Sequence, residues 1–320
     1  MNQKVRDAII DAIQHRQDAG TSIMHNQQTL PLRAEFINLT PTPCPSSCFV
    51  DGGNAVLLAT PDMCVQHIRV AAVCFAHQQC VQRVREDFYV LITNTGNDVF
   101  SVANFNMAFS CGPFDGKHED LRQGSRPAQP ERIGELVRRI AELELLARMS
   151  QNLSSASLLV LDGELEAQTV FEQPFLEQAM RSAGKRMLFL AGLSKTSRLL
   201  TNTGQSALAV LAQQGPPNAW LYAPAQQSKP ATGVVKLHAK SNHVFRLDTE
   251  RHADMQMVAS QLATFATDAQ LPGYPYGLIA ADQLAKISVA EARVEQQAFM
   301  AVSEKSLKPF LAALDAHQYF

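Results

Sequence analysis

The pattern of apolar and polar positions changes from strand-like to helix-like along the chain. Residues 157–163 form a continuous apolar run, which is typical of a strand covered on both faces. Residues 131–151 carry apolar side chains at helical spacing, with Glu131 in the first turn, and so predict a helix. Turn residues separate runs rich in Val, Ile, Phe and Ala, which predict adjacent strands of a meander at 48–53, 55–59, 65–75 and 87–93.

The flanking segments predict further elements. Residues 3–20 predict an amphipathic helix, and residues 21–47, which are polar and proline-rich, predict a connecting segment. Residues 172–184 predict a helix and residues 185–193 a strand. Beyond these we expect helices around 207 and 258, strands at 221–223, 234–237 and 243–247, and a helical end of the chain from 278. This order predicts an α/β fold with one mixed sheet, flanked by helices and carrying elaborations, rather than two independent domains.

Composition narrows the class of protein. The chain has 320 residues, 46% of them hydrophobic and 18% charged, which excludes a disordered protein and a coiled coil. No stretch approaches the ~18 apolar residues of a membrane span. The first residues lack an apolar segment followed by a cleavage site, so we expect a cytoplasmic protein. In that compartment the six cysteines are expected to be reduced thiols.

The net charge of −2 provides no global positive field, so any contact with DNA has to come from local basic patches.

Two apolar runs each end in Asp-Gly, at Asp51 and at Asp162. Ligands in open α/β sheets favour the carboxyl ends of strands. If the two strands are parallel neighbours, the carboxylates lie about 5 Å apart and repel each other by about 3 kcal/mol at an effective dielectric near 20. Either one stays protonated or a divalent cation such as Mg²⁺ or Mn²⁺ lies between them. The alternative is an ordinary turn after each strand.

The predicted helix at 131–151 offers a third carboxylate. Glu144 falls on the apolar stripe, where an unpaired charge is costly unless a metal or a partner compensates it. We therefore expect Glu144 to be a metal ligand, with Glu142 as the alternative. Glu142 is expected to face solvent and to pair with Arg138. The competing interpretation is that Glu144 pairs with a nearby arginine.

Two further segments carry candidate chemistry. Lys195 and Arg198 follow a predicted strand, where they could stabilise phosphate oxygens, or simply form a solvated loop. The glycine spacing upstream does not fit a Walker A motif. Tyr274 lies in an aromatic turn that leads into a helix, and Asp282 and Lys286 follow at the spacing of an ordinary helical ion pair.

Taken together, these segments resemble the NurA nuclease family, partner of the HerA helicase. The matching pieces occur in the family's order: Val50-Asp51-Gly52-Gly53, Leu161-Asp162-Gly163-Glu164-Leu165, Gly192-Leu193-Ser194-Lys195-Thr196-Ser197, and Tyr274-Pro275 with Leu278 and Ala281-Asp282. The resemblance implies an RNase H-like core within one NurA-like domain over residues 1–320. That domain has a helix and linker at 1–47, the catalytic core at 48–290 and a helical extension at 291–320.

The resemblance also implies the ligands of a metal site for Mn²⁺ or Mg²⁺. Asp51 and Asp162 match the family's aspartates, and the helix glutamate maps to Glu144 or Glu142. Asp282 stands where many members have histidine, and Glu164 replaces a common serine. Aspartate is also a competent ligand for Mn²⁺.

The implied activity is that of a metal-dependent DNA nuclease, of the 5′–3′ exonuclease and single-strand endonuclease type. It would act in DNA end resection and double-strand break repair, or in antiviral defence, as a homodimer with a HerA-type hexameric ATPase. Candidate contacts with DNA are Lys195, Arg198, Lys236, His238, Lys240 and Tyr274. A strand through 236–240 would place its basic groups on one face. The alternative function is a non-catalytic RNase H-like scaffold or interaction subunit of a DNA-processing or defence complex.

Overall fold

The computed structural model describes residues 1–14, 20–25, 28–32, 35–106, 109–226, 228–268 and 271–311. Its strands are β1 (Ser22–His25), β2 (Gln28–Pro31), β3 (Phe36–Asn38), β4 (Ser46–Ala59), β5 (Met63–Ala76), β6 (Gln79–Asn94), β7 (Val99–Phe105), β8 (Phe114–Asp115), β9 (Leu158–Asp162), β10 (Phe189–Ser194), β11 (Leu200–Thr201), β12 (Trp220–Tyr222), β13 (Ala231–Lys236) and β14 (Phe245–Thr249). Its helices are α1 (Gln3–Gln14), α2 (Pro130–Ser150), α3 (Gln173–Lys185), α4 (Ala207–Gln214), α5 (Met255–Phe265), α6 (Tyr276–Ala285) and α7 (Val289–Leu311).

The chain forms two compact units. The first comprises Met1–Thr42 and Gly192–Tyr274, and the second Pro43–Ala191 and Pro275–Phe320. In the part of the chain that the structure describes, no helix has both the length and the apolar composition of a membrane span.

The second unit is built on a mixed sheet in the order β10–β9–β4–β5–β6–β7–β8. The pairs β4–β5, β5–β6, β6–β7 and β7–β8 are antiparallel, whereas β4 and β9 are parallel. The long apolar runs predicted as meander strands form these pairs, and the predicted mixed α/β architecture is confirmed.

Helices cover this sheet on opposite faces. Side chains alternate along β4, so Val50 joins the apolar cluster that α2 and α3 complete. On the other face, a Cβ added to Gly277 of α6 would collide with the ring of Phe49. Helix α2 begins with Pro130, carries Glu131 in its first turn and Arg148 in its last, which suits the helix dipole at both ends.

The first unit contains an antiparallel sheet in the order β3–β12–β13–β14 and a smaller one in the order β11–β1–β2. Its core surrounds Trp220 and Tyr222, both of which are buried. Helices α4 and α5 match the helices predicted around 207 and 258.

The prediction of a connecting segment at 21–47 is wrong, because this stretch contains β1, β2 and β3. Ile23 and Leu30 pair across β1 and β2 and are buried. Pro31 ends β2, and the other prolines of the segment lie between β3 and β4. Proline therefore marks the ends of these strands, where no ladder hydrogen bond is lost. The predicted helix at 3–20 ends at Gln14, and residues 15–19 lie outside the described residues.

Two other boundaries differ from the prediction. The runs at 48–53 and 55–59 form one strand, β4, because β5 pairs with it from Ser46 to Ala59 across the intervening glycines. The strand predicted from 185 begins only at Phe189, because helix α3 continues to Lys185.

The cysteines differ from the expectation of uniform thiols. Cys48 and Cys74 lie opposite each other on β4 and β5 and form a disulfide. Cys44 and Cys64 are free and buried. The disulfide could not be predicted from the sequence, because its cysteines are 26 residues apart. Only the register of the two strands brings their side chains together.

Candidate metal centre

Asp51 and Asp162 lie side by side in the sheet of the second unit. The parallel register joins Val50 of β4 to Leu161 of β9, and one further step places the two aspartates on the same rung. The predicted parallel neighbourhood is thus confirmed. The predicted strand end is right for Asp162, the last residue of β9. It is wrong for Asp51, which lies within β4 because β5 continues to pair beyond it.

Asp51 is a buried carboxyl group among other acids. Only 9% of its surface is exposed, and the backbone N–H of Gly52 donates to its Oδ1 at 2.7 Å. Burial, reinforced by the charges of Asp162, Glu142 and Asp282, raises the pKa of Asp51 to about 8. A pKa raised in this way indicates that nearby positive charges do not fully balance the negative charges around Asp51. Three acidic residues, one from a strand and two from helices, therefore contribute negative charge around Asp51.

The helix carboxylate of this group is Glu142. Glu142 is 1% exposed, so the expected solvent position is wrong, whereas the predicted pairing with Arg138 is confirmed. Glu144 is half-buried. Burial raises its pKa, and the charge of Arg148 partly offsets that rise. Helix α2 packs against α3 as well as the sheet, so its buried surface is wider than one apolar stripe. The apolar stripe alone therefore did not show that Glu142 is more deeply buried than Glu144.

Glycine at position 52 allows the close approach of Glu142. A Cβ added to Gly52 would lie 2.5 Å from Oε1 of Glu142, nearer than real Cβ contacts. The same strand allows α6 to approach at Gly53, where an added Cβ would lie 2.6 Å from the carbonyl oxygen of Ala285. The Asp-Gly-Gly sequence therefore allows close packing within β4. The alternative prediction of a turn at this sequence is wrong.

Asp282 reaches this group from α6. Its side chain is exposed, and its charge still contributes to the raised pKa of Asp51. The backbone N–H of Lys286 donates to the carbonyl oxygen of Asp282 at 2.8 Å. The described residues show no side-chain ion pair between Asp282 and Lys286.

The donor set has the chemistry of a divalent-cation site. Carboxylate oxygens are hard ligands that Mg²⁺ and Mn²⁺ accept, and a cation would relieve the repulsion that raises the pKa of Asp51. The set is not closed around a point, since no three Asp, Glu, His or Cys side chains in the described ranges are placed to hold a metal as they stand. Both oxygens of Glu142 instead contact arginines.

Two arginines compensate Glu142: its pairing with Arg138 was predicted, whereas its pairing with Arg139 was missed. Arg138 and Arg139 both pair with Glu142, and Arg139 also donates to the carbonyl oxygen of Glu164. Their spacing of three and four residues before Glu142 was the available signal. Glu164, which replaces a common serine of the family, thus contributes its backbone to this cluster.

The candidate DNA contacts belong to the first unit. Lys195 lies over the ring of Tyr274, with Nζ 4.7 Å from the centroid, and Arg198 is exposed. Lys236 donates to the carbonyl oxygen of Pro217 at 2.9 Å.

The strand predicted through 236–240 is wrong, because β13 ends at Lys236. The turn that follows contains His238, whose Nδ1 accepts from the backbone N–H of Lys240 at 3.2 Å. These basic groups therefore do not share a strand face.

Comparisons with known proteins identify a family and similar folds. The NurA domain family matches residues 45–287. The crystal structure of the NurA nuclease from Sulfolobus solfataricus is 13% identical, with a TM-score of 0.54 over 96% of this chain and 98% of that one. The crystal structure of NurA with manganese is 9% identical, with a TM-score of 0.51 over 94% and 97% of the two chains. No curated protein matches the chain.

Proposed function

Because the chain belongs to the NurA family of nucleases, we propose that it hydrolyses phosphodiester bonds of DNA with a divalent cation held at Asp51. Its fold is RNase H-like, as the resemblance implied, and is shared with two solved NurA structures. One observation carries the proposal. Asp51 is buried, and burial together with the charges of Asp162, Glu142 and Asp282 raises its pKa to about 8.

Each acidic residue has a defined part in the proposed reaction. Asp51 and Asp162 would hold the cation from the sheet, and Glu142 would hold it from α2. When bound, the divalent cation supplies Lewis-acid activation of the attacking water and neutralises charge on the scissile phosphate. Asp51, mostly protonated without metal at neutral pH, has to lose its proton on loading. Asp282 would complete the site from α6, where many members of the family have histidine.

The finer features of the function are part of the same proposal. We propose Mn²⁺ as the cation, with Mg²⁺ as the alternative. The proposed activity is that of a 5′–3′ exonuclease and single-strand endonuclease. We propose DNA end resection as the setting, homodimerisation, a HerA-type ATPase as partner, and a cytoplasmic location. Lys195 is the proposed phosphate contact, and its position over Tyr274 combines a positive charge with an aromatic face, the two elements of single-strand binding.

The decisive experiment compares the wild-type chain with Asp51→Asn. Single- and double-stranded DNA, labelled at either end, is incubated with Mn²⁺, Mg²⁺ or EDTA, and the products are resolved on a gel. Asp98→Asn is the matched control, because Asp98 lies in the turn between β6 and β7 and pairs with Lys117. We expect cleavage by wild type and control only with a divalent cation, and none by Asp51→Asn. Equal cleavage by all three would overturn the assignment.

The second candidate, a non-catalytic scaffold, is favoured by one observation. Glu142 has both oxygens on arginines, and a permanently neutralised glutamate would suit a site that has lost its metal. Wild-type protein that binds DNA in a mobility-shift assay but cleaves it with no cation would support this alternative.

A further inference from the structure

Two arginines on α2 compensate the buried charge of Glu142. Arg138 Nη1 contacts Oε1 of Glu142 and also donates to the carbonyl oxygen of Gly52 at 3.2 Å. Arg139 Nη1 contacts Oε2 of Glu142 at 3.3 Å. A carboxylate that is 1% exposed is costly to keep charged without such partners. The two arginines supply the positive charge that this carboxylate requires.

The two arginines differ in how they are fixed. Arg139 also donates to the carbonyl oxygen of Glu164 and lies 3.8 Å from Oε2 of Glu172, and its side chain is 11% exposed. Arg138 is 28% exposed. Among the described residues, its hydrogen bonds go to Glu142 and to the backbone of Gly52, next to Asp51. Arg139 is therefore fixed by several groups, whereas Arg138 has an exit to solvent.

We propose that Arg138 is an internal counter-cation, which holds the place of the divalent metal beside Glu142 and competes with it for that carboxylate. Arg139 is the orienting partner, which keeps Glu142 in place in both states. This inference rests on the proposed function and deepens it, because it identifies the residue that controls loading of the metal.

Electrostatics gives the competition its direction. An arginine cannot lose its proton at physiological pH, so its charge opposes an approaching divalent cation unless the side chain moves away. Arg138 is also held beside Asp51, because it donates to the backbone carbonyl oxygen of Gly52 at 3.2 Å. Metal loading must therefore displace Arg138 from its contacts, and partial exposure with a long flexible stem makes that displacement feasible.

The test measures binding of Mn²⁺ by isothermal titration calorimetry with no DNA present. The variants are Arg138→Met, which removes the charge, Arg138→Lys, which keeps it, and Arg139→Met. Arg181→Met is the matched control, because Arg181 on α3 pairs with Glu177 at the same four-residue spacing but is 63% exposed. Thermal unfolding with and without Mn²⁺ shows that each variant is folded.

We expect Arg138→Met to bind Mn²⁺ about tenfold more tightly than wild type, and Arg138→Lys to bind like wild type. Arg139→Met should bind more weakly, and Arg181→Met should be unchanged. The unfolding midpoint of Arg138→Met should also rise more on adding Mn²⁺ than that of wild type.

Three results overturn the inference. Weaker binding of Mn²⁺ by Arg138→Met would make Arg138 an orienting residue like Arg139. Equal tightening in Arg181→Met would show a general effect of net charge. Both results would leave the proposed nuclease intact. Wild-type protein that binds no Mn²⁺ would instead overturn the metal centre itself, and this inference with it.

Discussion

Two aspartates in the same sheet have opposite electrostatic surroundings. Asp51 on β4 lies among acids, and burial together with their charges raises its pKa to about 8. Asp87 on β6 is also penalised by burial, but hydrogen bonds from Arg85, Arg69 and His67 outweigh that penalty and lower its pKa to about 2. Charge pairing thus favours folding around Asp87, whereas around Asp51 it is left incomplete.

The Asp87 group connects three elements of the second unit. Arg69 of β5 is 2% exposed; its Nε lies 2.5 Å from Oδ1 of Asp87 on β6, and its Nη2 pairs with Glu291 of α7. Arg69 Nη1 also donates to the carbonyl oxygen of Lys286 at 2.7 Å. These contacts are satisfied within the protein and leave no role for an added cation. The contrast shows that a group of acidic residues does not by itself indicate a metal site. A metal site is indicated where nearby positive charges do not balance the carboxylates.

The largest expected effect comes from neutralising Asp51. Asp51→Asn should lower DNA cleavage about a thousandfold, since a principal metal ligand is lost. The same variant should raise the unfolding midpoint of the metal-free protein at pH 7 to 8, because it removes a repelled acid. A nuclease assay and thermal unfolding in EDTA measure both quantities. A lower midpoint would contradict the view that Asp51 costs stability.

Removing Arg69 should break the compensated group. We expect Arg69→Met to lower the free energy of unfolding by about 3 kcal/mol, because it leaves Asp87 and Glu291 without their buried partner. Urea unfolding provides the measurement. Arg85→Met is the control, since Arg85 contacts the same aspartate but is 46% exposed, and its loss should cost at most about 1 kcal/mol. Equal losses in the two variants would refute the distinction.

Substitutions at two neighbouring glycines should separate effects on the candidate metal centre from effects on the fold. Gly52→Ala would push on Oε1 and Cγ of the buried Glu142 side chain, so we expect about a tenfold loss of cleavage, about 1.4 kcal/mol, and a smaller loss of stability than in Gly53→Ala. Gly53→Ala would press on the backbone of Ala285, which cannot yield as easily, and should lower stability more than activity. Parallel assays of cleavage and urea unfolding test the pair, and the reverse order would contradict this assignment.

The smallest expected effect is the pH dependence that Asp87 gives to the stability of the metal-free protein. Asp87 has a folded pKa of about 2, below its usual unfolded value near 4. Its contribution is present above pH 4 and is lost as the pH falls towards 2. After discounting for solvent screening it amounts to about 1 kcal/mol.

Asp51 behaves oppositely. Its folded pKa of about 8 lies above the unfolded value, so stability falls as the pH rises from about 4 to 8. Asp51→Asn and Asp87→Asn should each lack one of these two pH dependences. Urea unfolding across pH provides the measurement. A wild-type curve without these two slopes would count against the comparison.

The sequence predicted the parts of the fold that depend on local pattern. The apolar run of β9 and the helical spacing of α2 are confirmed because each carries its own periodicity. The neighbourhood of Asp51 and Asp162 also followed, since two buried strands with the same ending suit one parallel register.

The rest depends on contacts that no local pattern contains. Glu142 is buried because α2 packs against two elements, and Cys48 meets Cys74 only through the register of β4 and β5. Asp51 lies mid-strand because β5 pairs beyond it. The site roles of Asp51, Asp162, Glu144, Lys195 and Asp282, and all of the candidate DNA contacts, stay predictions.

The acidic residues around Asp51 are not equally open to evolutionary change. Asp51 is buried within a strand that pairs on both sides, so only a side chain of similar size fits there. Asp282 projects from an exposed helical surface, where one residue can replace another at little structural cost. A substitution at position 282 should therefore disturb the packing of the second unit less than a substitution at position 51.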